Sequence, residues 1–436
     1  MARIKTLSES EGTQMLTQSP KGTRDILPNE VYKWQYVEKV VNDICKCFGC
    51  KEIRIPVFEH TELFKRGVGD TTDIVQKEMY TFIDKDGKSL SLRPEGTAGV
   101  VRSYIQNGMS SLPQPVKLYY MITAYRRENV QKGRYREFHQ FGVEIFGADK
   151  PETDVEVISM LDTLFSTLGL KSVKLNMNSI GCPECRANYN ANLKDYIRPH
   201  LNVLCQNCQS RFERNPLRII DCKEEACRVI TANAPALLDY LCDECSEHFK
   251  KTLRGLDNLG IQYSIDKRIV RGLDYYTKTV FEYVSENVGT QGTICGGGRY
   301  DGLVEACGGP KVPAVGFGLG IERLLMEMES QNVYFPQPHK PRIYIASLGE
   351  NAALYAQKLI YQLRKNGIYA EMDLMGRSAK AQMKHADKLE ATYCIVIGDN
   401  EIESNKAVLK NMLNGEAKDI CLDTIVDRLK NLHAQS

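Results

Sequence analysis

The chain has 436 residues, of which 42% are hydrophobic and 26% charged, and its 57 basic and 55 acidic side chains leave a formal net charge of +2. That length accommodates two or three domains with separate cores, and the charge balance excludes a global field that gathers polyanions, so any nucleic-acid surface must be a local patch. No apolar run approaches the roughly 18 to 20 residues of a membrane span, and the opening MARIKTLSESEGTQ lacks a signal-peptide core; a cytoplasmic protein is expected, with its 15 cysteines reduced or bound to metal.

Residues 1–19 are polar and predict a flexible N-terminal extension. Val31, Trp34, Val41, Ile44 and Phe48 then recur at helical spacing. Residues 52–58 alternate around Pro56 and predict a strand that the proline confines to an edge or a bulge. Further strands are predicted at 90–92, 116–122 and 140–146, with few helical patterns between the later ones, which points to a mostly antiparallel sheet. A helix through Val155, Ile158, Leu161 and Phe165 and a strand through Val173, Leu175 and Met177 lead into residues 181–250. There the pattern turns helical, before strand alternation resumes at 280–284, so the stretch reads as an inserted Cys-rich subdomain. Pro336, Pro338 and Pro341 mark a linker at 334–341, beyond which strands and helices alternate through residues 342–436 as a separate α/β domain.

Arginines stand out where chemistry is concentrated. Tyr125-Arg126-Arg127-Glu128 is followed by Lys132, Gly133, Arg134 and Arg136 and then an apolar strand, which predicts a hairpin with a cationic tip able to fork onto phosphates. Taken alone, the segment is equally a solvated hairpin. Arg271-Gly272-Leu273-Asp274-Tyr275-Tyr276 joins an arginine to two tyrosines whose hydroxyls suit a planar, hydrogen-bonding substrate; a strand-leading turn with core tyrosines is the other reading. Cys295-Gly296-Gly297-Gly298-Arg299-Tyr300 lacks the spacing of a phosphate-binding loop and predicts either a floor stripped of side chains or a tight turn. Small residues from Ala314 to Gly320 lead into an amphipathic helix that carries Arg323 on its first turn. Together Arg126, Arg134, Arg136, Arg271, Arg299 and Arg323 describe a polyphosphate pocket, and no serine, cysteine or histidine nucleophile motif accompanies them. Chemistry then runs on positioning and charge neutralisation.

In this order, the motifs resemble the class II histidyl-tRNA synthetases, from Pro20-Lys21-Gly22-Thr23-Arg24-Asp25 to the final α/β domain. The resemblance implies an α+β fold: a catalytic domain at 20–180 and 251–333 with an antiparallel six-stranded sheet, the helical Cys-rich insertion at 181–250, and an anticodon-binding domain at 342–436. It implies a homodimer formed through the first helix and the Pro56 strand, with L-histidine, ATP with Mg²⁺, and histidine tRNA as partners. Carried over by motif, Arg126 and Arg323 grip ATP together with Glu128, Arg134 and Arg136, and Arg271 faces the α-phosphate as the family's catalytic arginine. Glu95, Thr97, Gln140, Glu144, Tyr275 and Tyr276, with Arg271, hold histidine. The histidine carboxylate attacks the α-phosphorus to give histidyl-adenylate, and the tRNA's terminal hydroxyl takes the acyl group, so removing Arg271 should lower adenylation more than histidine affinity. Two departures stand out. Thr123-Ala124-Tyr125 replaces the family's usual Gly-Pro-Met-Phe, and Asn129-Val130-Gln131 stands where relatives often have Arg-Pro-Gln, leaving Gln131 to read the extra 5′ guanosine of the tRNA. The rival reading is the noncatalytic relative that regulates histidine biosynthesis, which would normally lack the anticodon domain and degrade the Arg271 segment; both are intact. The C-terminal domain carries 13 basic and 12 acidic residues from Pro341 on, so anticodon reading rests on the resemblance and not on charge.

Cys182, Cys185, Cys205, Cys208, Cys222, Cys227, Cys242 and Cys245 supply the eight thiolates of two Cys₄ zinc sites, with reduced thiols as the alternative. One pairing joins Cys205, Cys208, Cys222 and Cys227 and leaves the other four together; the spacing allows others. Zinc is not a general requirement of the family, so it would be structural. By family position the insertion leans toward the tRNA acceptor stem, and chelation is expected to weaken charging while sparing adenylation.

Overall fold

A computed structural model describes residues 18–70, 72–287 and 292–433. All but the last two residues of the expected N-terminal extension lie outside that range. The chain divides into two compact units, residues 1–335 and 336–436.

The first unit opens with α1 (Pro28–Cys47), started by a proline at its first position and burying Trp34, Val37, Val40, Val41 and Ile44 along one stripe. The strand expected over 52–58 is instead broken in two: β1 (Lys51–Glu52) and β2 (Phe58–His60) belong to different sheets. Pro56 offers no N–H to a ladder, and the buried guanidinium of Arg93 donates to the carbonyls of Ile55 (2.7 Å) and Pro56 (3.1 Å). After α2 (Thr61–Val68), β3 (Thr81–Ile83) and β4 (Ser89–Leu92) complete a small antiparallel sheet with β2. Next come α3 (Thr97–Gln106), β5 (Val116–Tyr125), β6 (Glu137–Phe146), α4 (Pro151–Thr167) and β7 (Lys174–Ser179).

The insertion follows as α5 (Pro183–Ile197), α6 (Gln206–Arg214), α7 (Glu225–Thr231) and α8 (Asp243–Leu259). Helix α8 does not stop at residue 250; it continues to Leu259 and sinks Phe249 and Leu256 into the main core. Then β8 (Tyr263–Ile265), β9 (Thr277–Val284), β10 (Thr293–Arg299), the short α9 (Leu303–Ala306), β11 (Ala314–Gly320) and α10 (Ile321–Ser330) complete the unit.

The large sheet has the order β1-β5-β6-β11-β10-β9-β7-β8. Its six central strands are antiparallel, while β1 and β8 add parallel edges to the expected six. Alternation divides the two faces. Tyr119, Phe141, Val143, Phe281 and Phe317 face a core shared with α1, α4 and α10, whereas Leu118, Tyr120, Val280 and Tyr300 join a second core that runs into the insertion.

The second unit is a five-stranded sheet, β13-β12-β14-β15-β16, built from β12 (Ile343–Ser347), α11 (Glu350–Lys365), β13 (Ala370–Met372), α12 (Ala379–Lys388), β14 (Tyr393–Ile397), α13 (Asp399–Ser404), β15 (Lys406–Asn411), β16 (Ala417–Cys421) and α14 (Ile425–His433). Its first three strands are mutually parallel and the last two antiparallel.

Candidate active site

The front face of the large sheet is cleared by glycine. Gly316, Gly318 and Gly320 on β11 pair with Glu144, Gly142 and Gln140 on β6, so alternate positions of both strands look the same way. A Cβ at Gly316 would stand 2.0 Å from Glu144 Oε2, and one at Gly318 would stand 2.5 Å from Gln140 Nε2. On β10 a Cβ at Gly296 would meet Arg271 Nη2 at 2.1 Å. Functional side chains therefore lie flat on bare backbone, as the run of glycines predicts.

Glu144 is fully buried at one end of this floor. Thr97 Oγ1 donates to its Oε1 at 2.7 Å, the Tyr120 hydroxyl to the same oxygen at 3.2 Å, and the Tyr300 hydroxyl to Oε2. Burial pushes its pKa up to about 8, against the pull of those three hydroxyls. Glu95, 2% exposed, accepts from the N–H groups of Thr97 (2.6 Å) and Ala98 (2.9 Å) at the start of α3, and burial raises it too. Gln140 Oε1 accepts from Gly96 N at 3.0 Å, leaving its amide N–H over Gly318. Tyr275 and Tyr276 tilt against each other at 4.6 Å, and Tyr275 sets its ring edge to Tyr300 at 5.5 Å. The result is a polar pocket walled by rings and hydroxyls, able to present a donor or acceptor to each nitrogen of an imidazole.

The arginines gather alongside. Arg126, Arg134, Arg271 and Arg323 line one cleft with Glu128, Phe138 and the glycines. Arg126 donates to Pro94 O at 2.8 Å and lies 5.2 Å over the Phe138 ring; Arg134 pairs with Glu128 at 3.1 Å. Arg323 donates to Gly133 O (3.1 Å) and Thr293 O (2.5 Å), and burial, followed by the neighbouring Arg134, holds its pKa below the ordinary value. Like charges crowded in this way are relieved by an anion. Arg271 ion-pairs with Glu282, opposite Gly296 on β9, and its buried Nε has no hydrogen-bond partner among the described residues.

Two expected members lie elsewhere. Arg299 is not part of the polyphosphate pocket: it is fully buried behind the sheet, with Nε on Asp154 at 2.7 Å and further donations to Ala148 O and Lys150 O. Strand alternation puts it opposite to its neighbour Tyr300. Arg136 lies outside the cleft lining, its stem against Gly22. Gln131 sits exposed at the hairpin tip, where its carbonyl accepts from Arg134 N at 2.8 Å. Tyr300, Tyr120, Glu282 and Phe138 belong to the site although sequence motifs did not single them out for it.

The eight insertion cysteines form two quartets, Cys182/Cys185/Cys242/Cys245 and Cys205/Cys208/Cys222/Cys227, each with its sulfurs within 4.8 Å of one another. Cys182 and Cys185 sulfurs are 3.5 Å apart, and Cys205 and Cys222 sulfurs 3.9 Å. A disulfide needs about 2.05 Å, whereas sulfurs about 2.3 Å from a shared tetrahedral zinc stand about 3.8 Å apart.

An antiparallel sheet swept clear by glycine, with arginines gathered over it, is the frame of a class II aminoacyl-tRNA synthetase. The family model described as histidyl-tRNA synthetase matches residues 22–324, and that of the anticodon binding domain matches 342–432. The histidine–tRNA ligase of Acetivibrio thermocellus is 70% identical over 416 residues, 95% of this chain and 100% of the relative; that of Caldanaerobacter subterraneus subsp. tengcongensis is 54% identical over 96% and 100%. The crystal structure of apo S. aureus histidyl-tRNA synthetase superposes with a TM-score of 0.82 at 42% identity, covering 95% of this chain and 99% of that one. The chain belongs to the histidyl-tRNA synthetase family, and within it to the ligases and not to the regulatory subunits.

Proposed function

We propose that the pocket around Glu144 takes the side chain of L-histidine and the arginine cleft takes ATP, so that the histidine carboxylate and the α-phosphorus meet over Gly296 beneath Arg271. The buried Glu144, held by three hydroxyls under a glycine floor, carries this reading. An apolar analogue of histidine would leave those groups unpaired and be rejected. Glu144, Tyr275 and Tyr276 address the imidazole, while Glu95, Thr97 and Gln140 address the ammonium end. Arg126, Glu128, Arg134 and Arg323 hold the phosphates and base, with Phe138 as a stacking surface. Arg271, its Nε unpartnered among the described residues, neutralises the α-phosphate as the carboxylate attacks in line and pyrophosphate leaves. The adenylate then passes its acyl group to the terminal hydroxyl of histidine tRNA, which Gln131 and the C-terminal unit help to select.

Mg²⁺ accompanies ATP and offsets phosphate charge; Glu128 and Glu282 supply hard oxygen donors of the kind it takes. Each cysteine quartet holds one structural Zn²⁺, for which four free thiols at tetrahedral spacing are the fitting donor set. The catalytic domain comprises 20–180 and 251–333, the insertion 181–250 and the anticodon-binding domain 342–436, and two copies associate through α1 and the Pro56 region. The described helices include none long and apolar enough to cross a membrane, in keeping with a cytoplasmic enzyme.

ATP–pyrophosphate exchange on the purified protein tests the assignment. Exchange with histidine and no other amino acid is expected; its absence in folded, dimeric, metal-replete protein would overturn the reading.

A further inference from the structure

The insertion grips the segment that supplies the cleft's arginine and tyrosines. Arg218 Nη1 donates to the carbonyl of Arg271 at 3.1 Å, Asn215 Nδ2 to the Asp274 carboxylate at 2.9 Å, and Arg186 Nη1 to the carbonyl of Tyr276 at 3.1 Å. These three donors span the Arg271-to-Tyr276 segment from end to end. Each is set beside a quartet in sequence: Arg186 follows Cys185 directly, and Asn215 and Arg218 lie between Cys208 and Cys222. The first quartet braces the segment again from its far side. Lys278 N donates to Gly181 O at 2.9 Å, and Lys278 Nζ meets Glu244, which lies between Cys242 and Cys245, also at 2.9 Å.

The stretch that carries Asn215 and Arg218 has little regular structure of its own. Helices α6 and α7 have nine and seven residues, too short to stand by themselves. Cys208, Cys222 and Cys227 are themselves buried members of the core they share with Phe212, Leu217 and Ile219. Cross-linking four thiolates through one ion adds order at the inner end of the core that the insertion shares with the sheet.

We propose that the two metal-held quartets position the Arg271-to-Tyr276 segment for histidine activation, so that the insertion serves the first half-reaction as well as any tRNA contact. This rests on the zinc assignment above. It replaces the expectation that chelation spares adenylation, because the same residues that the quartets anchor hold the backbone on either side of the catalytic arginine and tyrosines. Arg186, Asn215 and Arg218 are then positioning residues.

The test uses the full-length protein, with zinc content by elemental analysis and histidine-dependent pyrophosphate exchange in the absence of tRNA. Two zinc ions per chain are expected, one per quartet. In Asn215→Ala and Arg218→Met the zinc content and melting temperature stay as in the parent, the KM for histidine rises about tenfold or kcat falls as much, and the KM for ATP is unchanged. Arg218→Lys, which keeps a donor for the Arg271 carbonyl, restores part of the loss. Stripping zinc from the parent with a chelator lowers exchange, and Zn²⁺ alone restores it. Should stripping unfold the chain, the two metal-retaining variants decide the matter. Protein purified without zinc would overturn the metal assignment and the inference with it. Two zinc ions per chain with exchange unaltered in Asn215→Ala and Arg218→Met would overturn the inference and leave the metal assignment standing.

Discussion

Glu144 is the residue on which the pocket turns, because burial and hydrogen bonding pull its proton affinity in opposite directions. Burial wins, and its pKa stands at about 8 against an ordinary 4.5. Between those values the folded chain keeps a proton that the unfolded chain has released. Folding then takes up a proton, so the contribution of Glu144 to stability is full below pH 4.5, declines as pH rises through that window, and levels off above about 8. For one proton the slope is no steeper than about 1.4 kcal/mol per pH unit. Glu144→Gln removes the ionisation while keeping the shape, so the unliganded variant should lose less stability than the parent between pH 5 and pH 8. Denaturant titrations at several pH values check this, and parallel curves for the two proteins would mean that Glu144 is already ionised in the empty pocket. Glu95, also raised by burial, adds to the slope in both proteins, and because its charge helps to raise Glu144 the difference reports on the pair.

Strand β10 puts adjacent glycines on opposite faces, and the faces carry different duties. Gly296 lies under the Arg271 guanidinium, whereas a Cβ at Gly297 would strike the Gly316 carbonyl at 2.4 Å and the Phe281 ring at 2.5 Å. A guanidinium can swing aside; strand backbone and core rings cannot. Gly296→Ala should therefore fold with near-parental stability and lose roughly 100-fold in exchange rate through a misplaced arginine. Gly297→Ala should lose about 1 to 3 kcal/mol of stability through overpacking. Melting curves and exchange assays on the pair check the contrast, which a similar activity loss in both variants would refute. The same alternation explains what the sequence disclosed and what it hid. The glycine run announced a bare floor, and motif spacing announced Arg126, Arg271 and Arg323. Counting by twos from Gly296 would have turned Tyr300 to the front and Arg299 to the back, but an arginine next to a glycine run looks like a phosphate ligand until the strand register is known. The partners of Glu144 come from β5, α3 and the turn after β10, far apart in sequence, and only the fold brings them together. In the C-terminal unit, β15 and β16 form a hairpin that departs from the expected alternation of strand and helix, with Ala407 and Leu409 buried at strand period.

At the scale of the whole molecule, the two units have separate interiors. The cores of the second draw only on residues 343–429, and every residue assigned to histidine or ATP falls between Glu95 and Arg323 in the first. On the proposed assignment adenylation draws on the first unit alone, and the anticodon-binding domain serves as a second grip on tRNA. Two linked grips on one partner bind far more tightly than either alone, so removing one costs affinity for tRNA by about 100-fold while leaving the chemistry of the other untouched. A chain ending at Phe335 should retain histidine-dependent exchange within about threefold of the parent, since its core and cleft stay whole, and show a KM for tRNA raised by about that factor of 100. Steady-state charging measured beside exchange separates the two effects. Equal loss of exchange and charging would mean that the second unit supports the catalytic cleft itself, and the near balance of 13 basic and 12 acidic residues from Pro341 on would then reflect a structural role and not the reading of an anticodon.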